Sequence, residues 1–257
     1  MNENKYRIGR FTSSGISALM KLAKDGKSFG KPALTYIEEK NMEIKLGRSL
    51  TQESNARPTT WGQLVERRAF DLLGTEYKMC SSTTLEHPNL PEYWAGSPDL
   101  VKFDEGQTVV DIKCPFTLKS FCQFADCKTI EEIRDKHPDG EDYYWQLISN
   151  AIITNSRYAE LIVYCPYKSE LDEIREMASN YDGNQNKFAW INWAEDKELP
   201  YLLDGGHYKN LNIIRFEVSQ EDKDRLTIAV LNASKLLIKS AAEMDIILPI
   251  PNEQLSF

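Results

Sequence analysis

The sequence predicts an α/β (α+β) fold, a mixed central β-sheet flanked by helices. Three observations carry the prediction. Residues 96–115, GSPDLVKFDEGQTVVDIKCP, read as a hairpin of two short strands. Two further β-prone runs, 159–165 and 211–218, lie well downstream of it. Helical periodicity fills the chain before, between and after them. A length of 257 residues suits one large domain or two small ones. One domain over 1–257 is expected, with a less assignable part from about residue 181.

Bulk composition narrows the classes. A hydrophobic fraction of 41% with 27% charged residues is ordinary for a soluble globular protein. No apolar run approaches the roughly 20 residues of a membrane span. The opening MNENKYRIGR lacks the apolar core of a signal peptide, so a cytoplasmic location is expected. Five cysteines, Cys80, Cys114, Cys122, Cys127 and Cys165, show no C-x-x-C spacing, and reduced thiols are expected. His87, His137 and His207 are scattered and form no zinc-ligand pattern. A net charge of −8 with a pI of about 5.1 counts against a general nucleic-acid coat, which needs a basic footprint. It leaves room for a chain that grips DNA in one local channel and screens an acidic site with metal ions.

The elements follow in order. Residues 5–24 read as a turn and a helix, with Thr12, Ser13 and Ser14 as candidate N-caps. Ile16, Leu19, Met20 and Leu22 are in helical register, and Gly26 marks the end. A second amphipathic helix spans 34–45, and the polar stretch 49–58 is loop. Thr60 and Gln63 form a capping box for a third helix, with Gly74 as its stop. Its stripe is Trp61, Leu64, Val65, Ala69, Leu72 and Leu73. Glu66 lies midway along it; on its own it reads as an exposed charge or a partner for Arg67 or Arg68. In the hairpin, Leu100, Val101 and Phe103 form one arm and Val109, Val110 and Ile112 the other. Asp104, Glu105 and Gly106 make the turn, with Gly106 supplying a positive φ. Helices follow at 118–125 and 129–135, then a loop, HPDGED. A buried helix at 143–154 sets Gln146 and Asn150 on one face. The stretch 181–207 is rich in Asp, Asn, Gly and Trp and reads as an irregular insertion. A long helix with a serine cap is expected over 219–244, and the apolar tail 246–250 suits packing on a neighbour.

The hairpin carries the chemistry. If it is centred on Glu105, Asp99 lies opposite Asp111, and cross-strand Cβ atoms are about 4.5–5.5 Å apart. Two carboxylates at that spacing can share a cation such as Mg²⁺, which takes oxygens at about 2.0–2.1 Å and keeps several waters. Lys113 returns to the face of Asp111, while Ile112 points away. Two acids and a lysine on one face of a strand end are odd for a core and natural for phosphodiester chemistry. A D-x-K triplet taken alone also reads as a solvated strand face, with Asp99 a turn residue after Pro98.

Taken together, the spacing E…SPD…D-x-K…Q resembles the PD-(D/E)xK nuclease superfamily. Within it the likeness is to the phage lambda-type exonucleases, or YqaJ-like viral recombinase nucleases. The matching words are RIGRFTSSGISALM, TTWGQLVERRAF, AGSPD, VDIKCPFTLKSF, YYWQLISNAIIT and YAELIVYCPYK, over about residues 7–168. The resemblance implies a restriction-endonuclease-like core and a deoxyribonuclease dependent on Mg²⁺ or Mn²⁺, with two ions per site. Its substrate would be linear double-stranded DNA, digested 5′→3′ to leave 3′ single-stranded overhangs in a phage-type recombination system. Alternatives are a RecB-like or single-strand exonuclease of the same superfamily, and a non-catalytic DNA-end-binding protein.

The same resemblance implies roles. Glu66, Asp99, Asp111 and the Ile112 carbonyl would bind the metals. Lys113 would orient or activate water and stabilise phosphate charge, and Gln146 would hold the site or the nucleophile. Arg7 and Ser14 fall where the family grips a 5′-phosphate, and Lys119 where it carries a basic residue, here lysine for arginine. The second acid is usually glutamate in this branch. Here it is Asp111, one methylene shorter and within the superfamily pattern. A homotrimer enclosing DNA, a single-strand annealing partner and a phage or prophage origin in a bacterial cytoplasm are also implied. From residue 181 onward the chain matches little of the family.

Overall fold

The computed structural model describes residues 5–50, 54–80, 84–104, 107–181 and 185–238. The chain opens with strand β1 (Phe11–Thr12), a 3₁₀ helix (Ser13–Met20) and helices α1 (Lys31–Leu46) and α2 (Arg57–Asp71). Short strands β2 (Tyr77–Met79), β3 (Leu85–Glu86) and β4 (Trp94–Gly96) lead to the hairpin, β5 (Leu100–Lys102) and β6 (Thr108–Lys113). Helices α3 (Leu118–Ala125), α4 (Ile130–Lys136) and α5 (Gly140–Ile153) separate it from β7 (Tyr158–Tyr164). Helices α6 (Leu171–Ser179) and α7 (Ala189–Trp193), strand β8 (Leu211–Glu217) and helix α8 (Gln220–Ser234) complete the order.

The main sheet runs β2-β5-β6-β7-β8. It is mixed because β6 and β7 pair in parallel while the other three pairs are antiparallel. A parallel pair needs a crossover of a dozen or more residues, and α3, α4 and α5 supply it. A smaller sheet, β1-β4-β3, lies at the N-terminal end of the chain. Apolar side chains cover both faces of β6. Val109 packs with Leu161, Val163 and Ile214 against α3, α4, α5, α8 and the 3₁₀ helix. Val110 and Ile112 pack with Leu100, Ile162 and Tyr164 against α2, α6 and α7. Burial on both sides explains why β6, TVVDIK, shows no alternation of buried and exposed residues: Thr108 to Ile112 are all buried. Hydroxyls lock the layers together: Ser13 Oγ lies 2.8 Å from Ser149 Oγ of α5, which also accepts from Trp94 Nε1 at 2.8 Å.

Several expected boundaries shift, each for a local reason. The first helix is 3₁₀ and begins at Ser13, with Thr12 at its cap position but making no side-chain cap. Helix α2 begins at Arg57, not Thr60: Pro58 sits in the first turn, where a missing N–H costs nothing. The Thr60 hydroxyl instead donates back to the Ala56 and Arg57 carbonyls. Leu72 is exposed, so the buried stripe ends at Ala69. Gly106 lies outside the described residues, and the left-handed residue in the described part of that turn is Gln107, at φ 49°. Within 181–207 stand α7 and two 3₁₀ turns. Helix α8 has the expected Ser219 cap, which accepts from Asp222 N at 3.1 Å, but ends at Ser234. The tail 246–250 lies outside the described residues. No helix among the described residues is long and apolar enough to cross a membrane.

Candidate active site

Asp111 and Lys113 stand two apart on β6, so both side chains leave on the α5 side of the strand. Asp111 is buried, and Lys113 Nζ lies 2.5 Å from its Oδ2. That contact is ionic in geometry, and Oδ2 accepts no hydrogen bond. Gln146 closes a triangle from α5: its Nε2 donates to Asp111 Oδ1 at 2.7 Å, and its Oε1 accepts from Lys113 Nζ at 3.4 Å. One turn earlier on α5, the Tyr143 ring centre lies 5.0 Å from Lys113 Nζ. Sequence reasoning missed this aromatic, although its i, i+3 spacing to Gln146 places both on one helix face. Asn150, one turn beyond Gln146, is fully buried, and no hydrogen-bond partner among the described residues satisfies its amide.

Asp99 enters from the neighbouring strand. The hairpin has the expected register, Lys102 to Thr108 through Leu100 to Val110, and Asp99 and Asp111 are the next positions along. Beyond Leu100 the Asp99 side chain meets the facing backbone of β6, its Oδ2 accepting the Ile112 N–H at 2.7 Å. Burial first, then the negative charges of Asp111 and Glu66, hold the Asp99 carboxyl well above the usual carboxylate range.

Glu66 approaches on α2, from the opposite layer. The cations beside it in sequence are engaged elsewhere: Arg68 pairs with Glu170 at 3.3 Å and Glu173 at 3.1 Å, and Arg67 lies over the Tyr181 ring. Burial, and next the charge of Asp111, push the Glu66 carboxyl up to about 7. Burial alone would pull the Lys113 ammonium down, but the Asp111 and Asp99 carboxylates outweigh it and hold Lys113 above the usual lysine range. The cluster is therefore acid-rich, short of positive charge and reluctant to ionise fully.

A divalent cation is the natural remedy for such a cluster. Among the described residues no three His, Cys, Asp or Glu side chains are gathered closely enough to cage a metal by themselves. Mg²⁺ does not need a cage, since one or two carboxylates and several waters suffice. The donor set fits it: hard carboxylate oxygens, one of them, Asp111 Oδ2, buried with only the Lys113 ammonium against it, and, among the described residues, no competing thiolate or imidazole cluster.

The three residues expected at a DNA end divide. Arg7 and Ser14 meet, Arg7 Nη2 donating to Ser14 Oγ at 3.3 Å with both residues exposed. Lys119 is exposed in the first turn of α3 and makes no hydrogen bond or ion pair to either.

Comparison with known proteins adds two findings. Residues 4–157 match the family model of the YqaJ-like viral recombinase domain. No curated protein matches the sequence. Among solved structures, LHK-Exo, an alkaline exonuclease from Laribacter hongkongensis, superposes with a TM-score of 0.56 at 16% identity, covering 95% of this chain and 94% of that one. Its complex with dAMP gives a TM-score of 0.55 at the same identity and coverage. A phage related exonuclease from Haemophilus somnus 129PT gives 0.58 at 15% identity, over 88% of this chain and 92% of that one. At such identities the likeness establishes the fold, the restriction-endonuclease-like mixed sheet with flanking helices.

Proposed function

Because the chain belongs to the YqaJ-like viral recombinase family, we propose that it is a Mg²⁺- or Mn²⁺-dependent exonuclease of a phage-type recombination system. It digests linear double-stranded DNA 5′→3′ and leaves a 3′ single strand. One observation carries the reading: Asp111, Lys113 and Gln146 interlock at the end of a central strand, beside two acids with raised pKa. That an alkaline exonuclease of the same fold was solved in complex with dAMP supports a deoxynucleotide ligand.

In this reading Asp99, Asp111, Glu66 and the Ile112 carbonyl would hold the cations, two per site, which when bound would lower the pKa of water and offset charge on the phosphate. Lys113, held protonated by its acidic neighbours, supplies fixed positive charge where the phosphate gains negative charge. It acts as a positioned cation that orients water rather than as a base. Gln146 keeps Asp111 and Lys113 in one geometry, and the carboxylate of Asp99 is steadied by the Ile112 amide. Arg7 with Ser14, assisted by Lys119, receives the 5′-terminal phosphate, whose charge is about −1.5 to −2. A homotrimeric ring would let an acidic chain hold DNA, since only its channel need be basic. A single-strand annealing protein would take over the 3′ strand.

Digestion of linear duplex labelled at either end, in Mg²⁺, tests the reading. The 5′ label is expected to leave first. Asp111→Asn is expected to keep the fold and lose about 100-fold or more in turnover, since an amide is a poor ligand for a hard cation. Release from the 3′ end first, or faster digestion of single strands, would point to a RecB-like or single-strand exonuclease. End binding without any product would point to a non-catalytic protein.

A further inference from the structure

Arg7 and Ser14 are exposed and hydrogen-bonded to each other. The support comes from one face of α1, where Tyr36, Lys40 and Glu43 fall at i, i+4 and i+7. Behind Ser14, the Tyr36 hydroxyl accepts the Thr12 N–H at 2.9 Å. It lies 3.3 Å from Thr12 Oγ1, which is 3.5 Å from Ser14 Oγ. Behind Arg7, the Gly9 N–H donates to Glu43 Oε2 at 3.0 Å. Gly9 has φ +68°, and a Cβ there would lie 2.5 Å from Ile44 Cγ1, so the chain passes directly over α1. The Arg10 N–H closes the same turn on the Arg7 carbonyl at 3.3 Å.

Glu43 is unusual for a helix residue because its side chain is only 3% exposed. Every part of its carboxylate is used. Oε2 takes Lys40 Nζ at 2.9 Å besides Gly9, and Oε1 takes the Leu50 N–H at 3.2 Å and the Ser49 hydroxyl at 3.4 Å. A buried ion pair gives little net stability over an apolar pair of the same volume, but it fixes whatever it binds. What it binds here is the turn carrying Arg7. We propose that Glu43 is a positioning residue for end recognition: by clamping Gly9 to α1, it holds Arg7 where a 5′-terminal phosphate is met. This rests on the reading of Arg7 and Ser14 as the phosphate pocket.

The test is a binding ratio that needs no turnover. Short duplexes with 5′-phosphoryl or 5′-hydroxyl ends are titrated with the full chain in EDTA and followed by fluorescence anisotropy. The wild type is expected to favour the phosphoryl end by about ten- to a hundredfold, the worth of one charge-assisted contact. Arg7→Ala should abolish the ratio, and Glu43→Gln should cut it to less than half. A merely structural loss would weaken both duplexes alike and leave the ratio intact. An unchanged ratio in Glu43→Gln, with Arg7→Ala abolishing it, overturns this inference alone. Equal binding of both ends by the wild type overturns the pocket as well. Should Glu43→Gln not fold, Gly9→Ala loosens the same turn from the other side, and an unchanged ratio there is equally fatal.

Discussion

Replacing Glu66 by glutamine is expected to stabilise the metal-free protein at alkaline pH. The carboxyl is carried from an ordinary 4.5 to about 7, by burial first and the Asp111 charge second. At about 1.4 kcal/mol per pH unit, that lift corresponds to roughly 3 kcal/mol. Its sign depends on which state holds the proton. Below about 4.5, folded and unfolded chains both carry it and nothing is lost. As pH rises, the unfolded chain ionises freely while the folded chain resists, and the penalty is complete above about 7. The buried amide takes back about 1 kcal/mol in desolvation. The remaining gain of about 2 kcal/mol is worth about 4–8 °C in a chain of this size. Scanning calorimetry in EDTA should show Glu66→Gln melting higher than wild type at pH 8 and no higher at pH 5. On the proposed reading of Glu66 as a metal ligand, added Mg²⁺ should narrow the gap at pH 8, because a ligand of the folded state stabilises by mass action. An equal gain at both pH values, or none at pH 8, would refute the burial and charge coupling assigned to this carboxyl.

Two further outcomes are expected. On the proposed role of Lys113 as a cation facing the developing negative charge, Lys113→Met should lower kcat by about 100-fold or more with a smaller change in KM; steady-state kinetics showing less than a tenfold fall would remove Lys113 from the chemistry. Gly96→Ala should cost about 1–3 kcal/mol by overpacking, since the new Cβ would lie 2.6 Å from Asn150 Oδ1 and 2.8 Å from Ile153 Cδ1, besides meeting Ser13 Oγ. Urea unfolding that shows no loss would mean that this seam between β4 and α5 is looser than drawn.

The parts of the molecule that were legible in its sequence are those whose signal is local. Helix α3 declares itself by an apolar face and a Thr117 cap, α5 by its apolar length, and β7 by a run of buried residues. The hairpin register followed from where a turn could sit, and it brought Asp99, just ahead of β5, beside Asp111 on β6. Strands β2, β3 and β4 have two or three residues each, too few for a period-2 pattern to stand out. Helix α6 was legible in principle, since Leu171, Ile174 and Ala178 recur at helical spacing, yet no element was expected there. The Thr60 capping box misled because Pro58, two residues before it, has a φ preset for a helix, so the helix starts at Arg57, three residues ahead of Thr60. Within the site, Asp111, Lys113 and Gln146 could be grouped from spacing and resemblance. That Arg67 and Arg68 find other partners could not, because those partners, Tyr181, Glu170 and Glu173, lie on α6 and at its two ends.

The parallel pairing of β6 with β7 has a practical corollary. The family match stops at residue 157, and β7 begins at Tyr158. A fragment trimmed to the matched segment would keep β5 on one side of β6 and lose the strand on the other. All six residues of β6 have their β7 partners in that missing piece, Thr108 with Tyr158 through Lys113 with Val163. The fragment would expose a row of unpaired amides and carbonyls on an apolar ribbon, a template for sticking to its own copies. The same gap exists briefly on the ribosome. At about 5–20 residues per second, β6 emerges some seconds before β7 can close over it, with α3, α4 and α5 made in between.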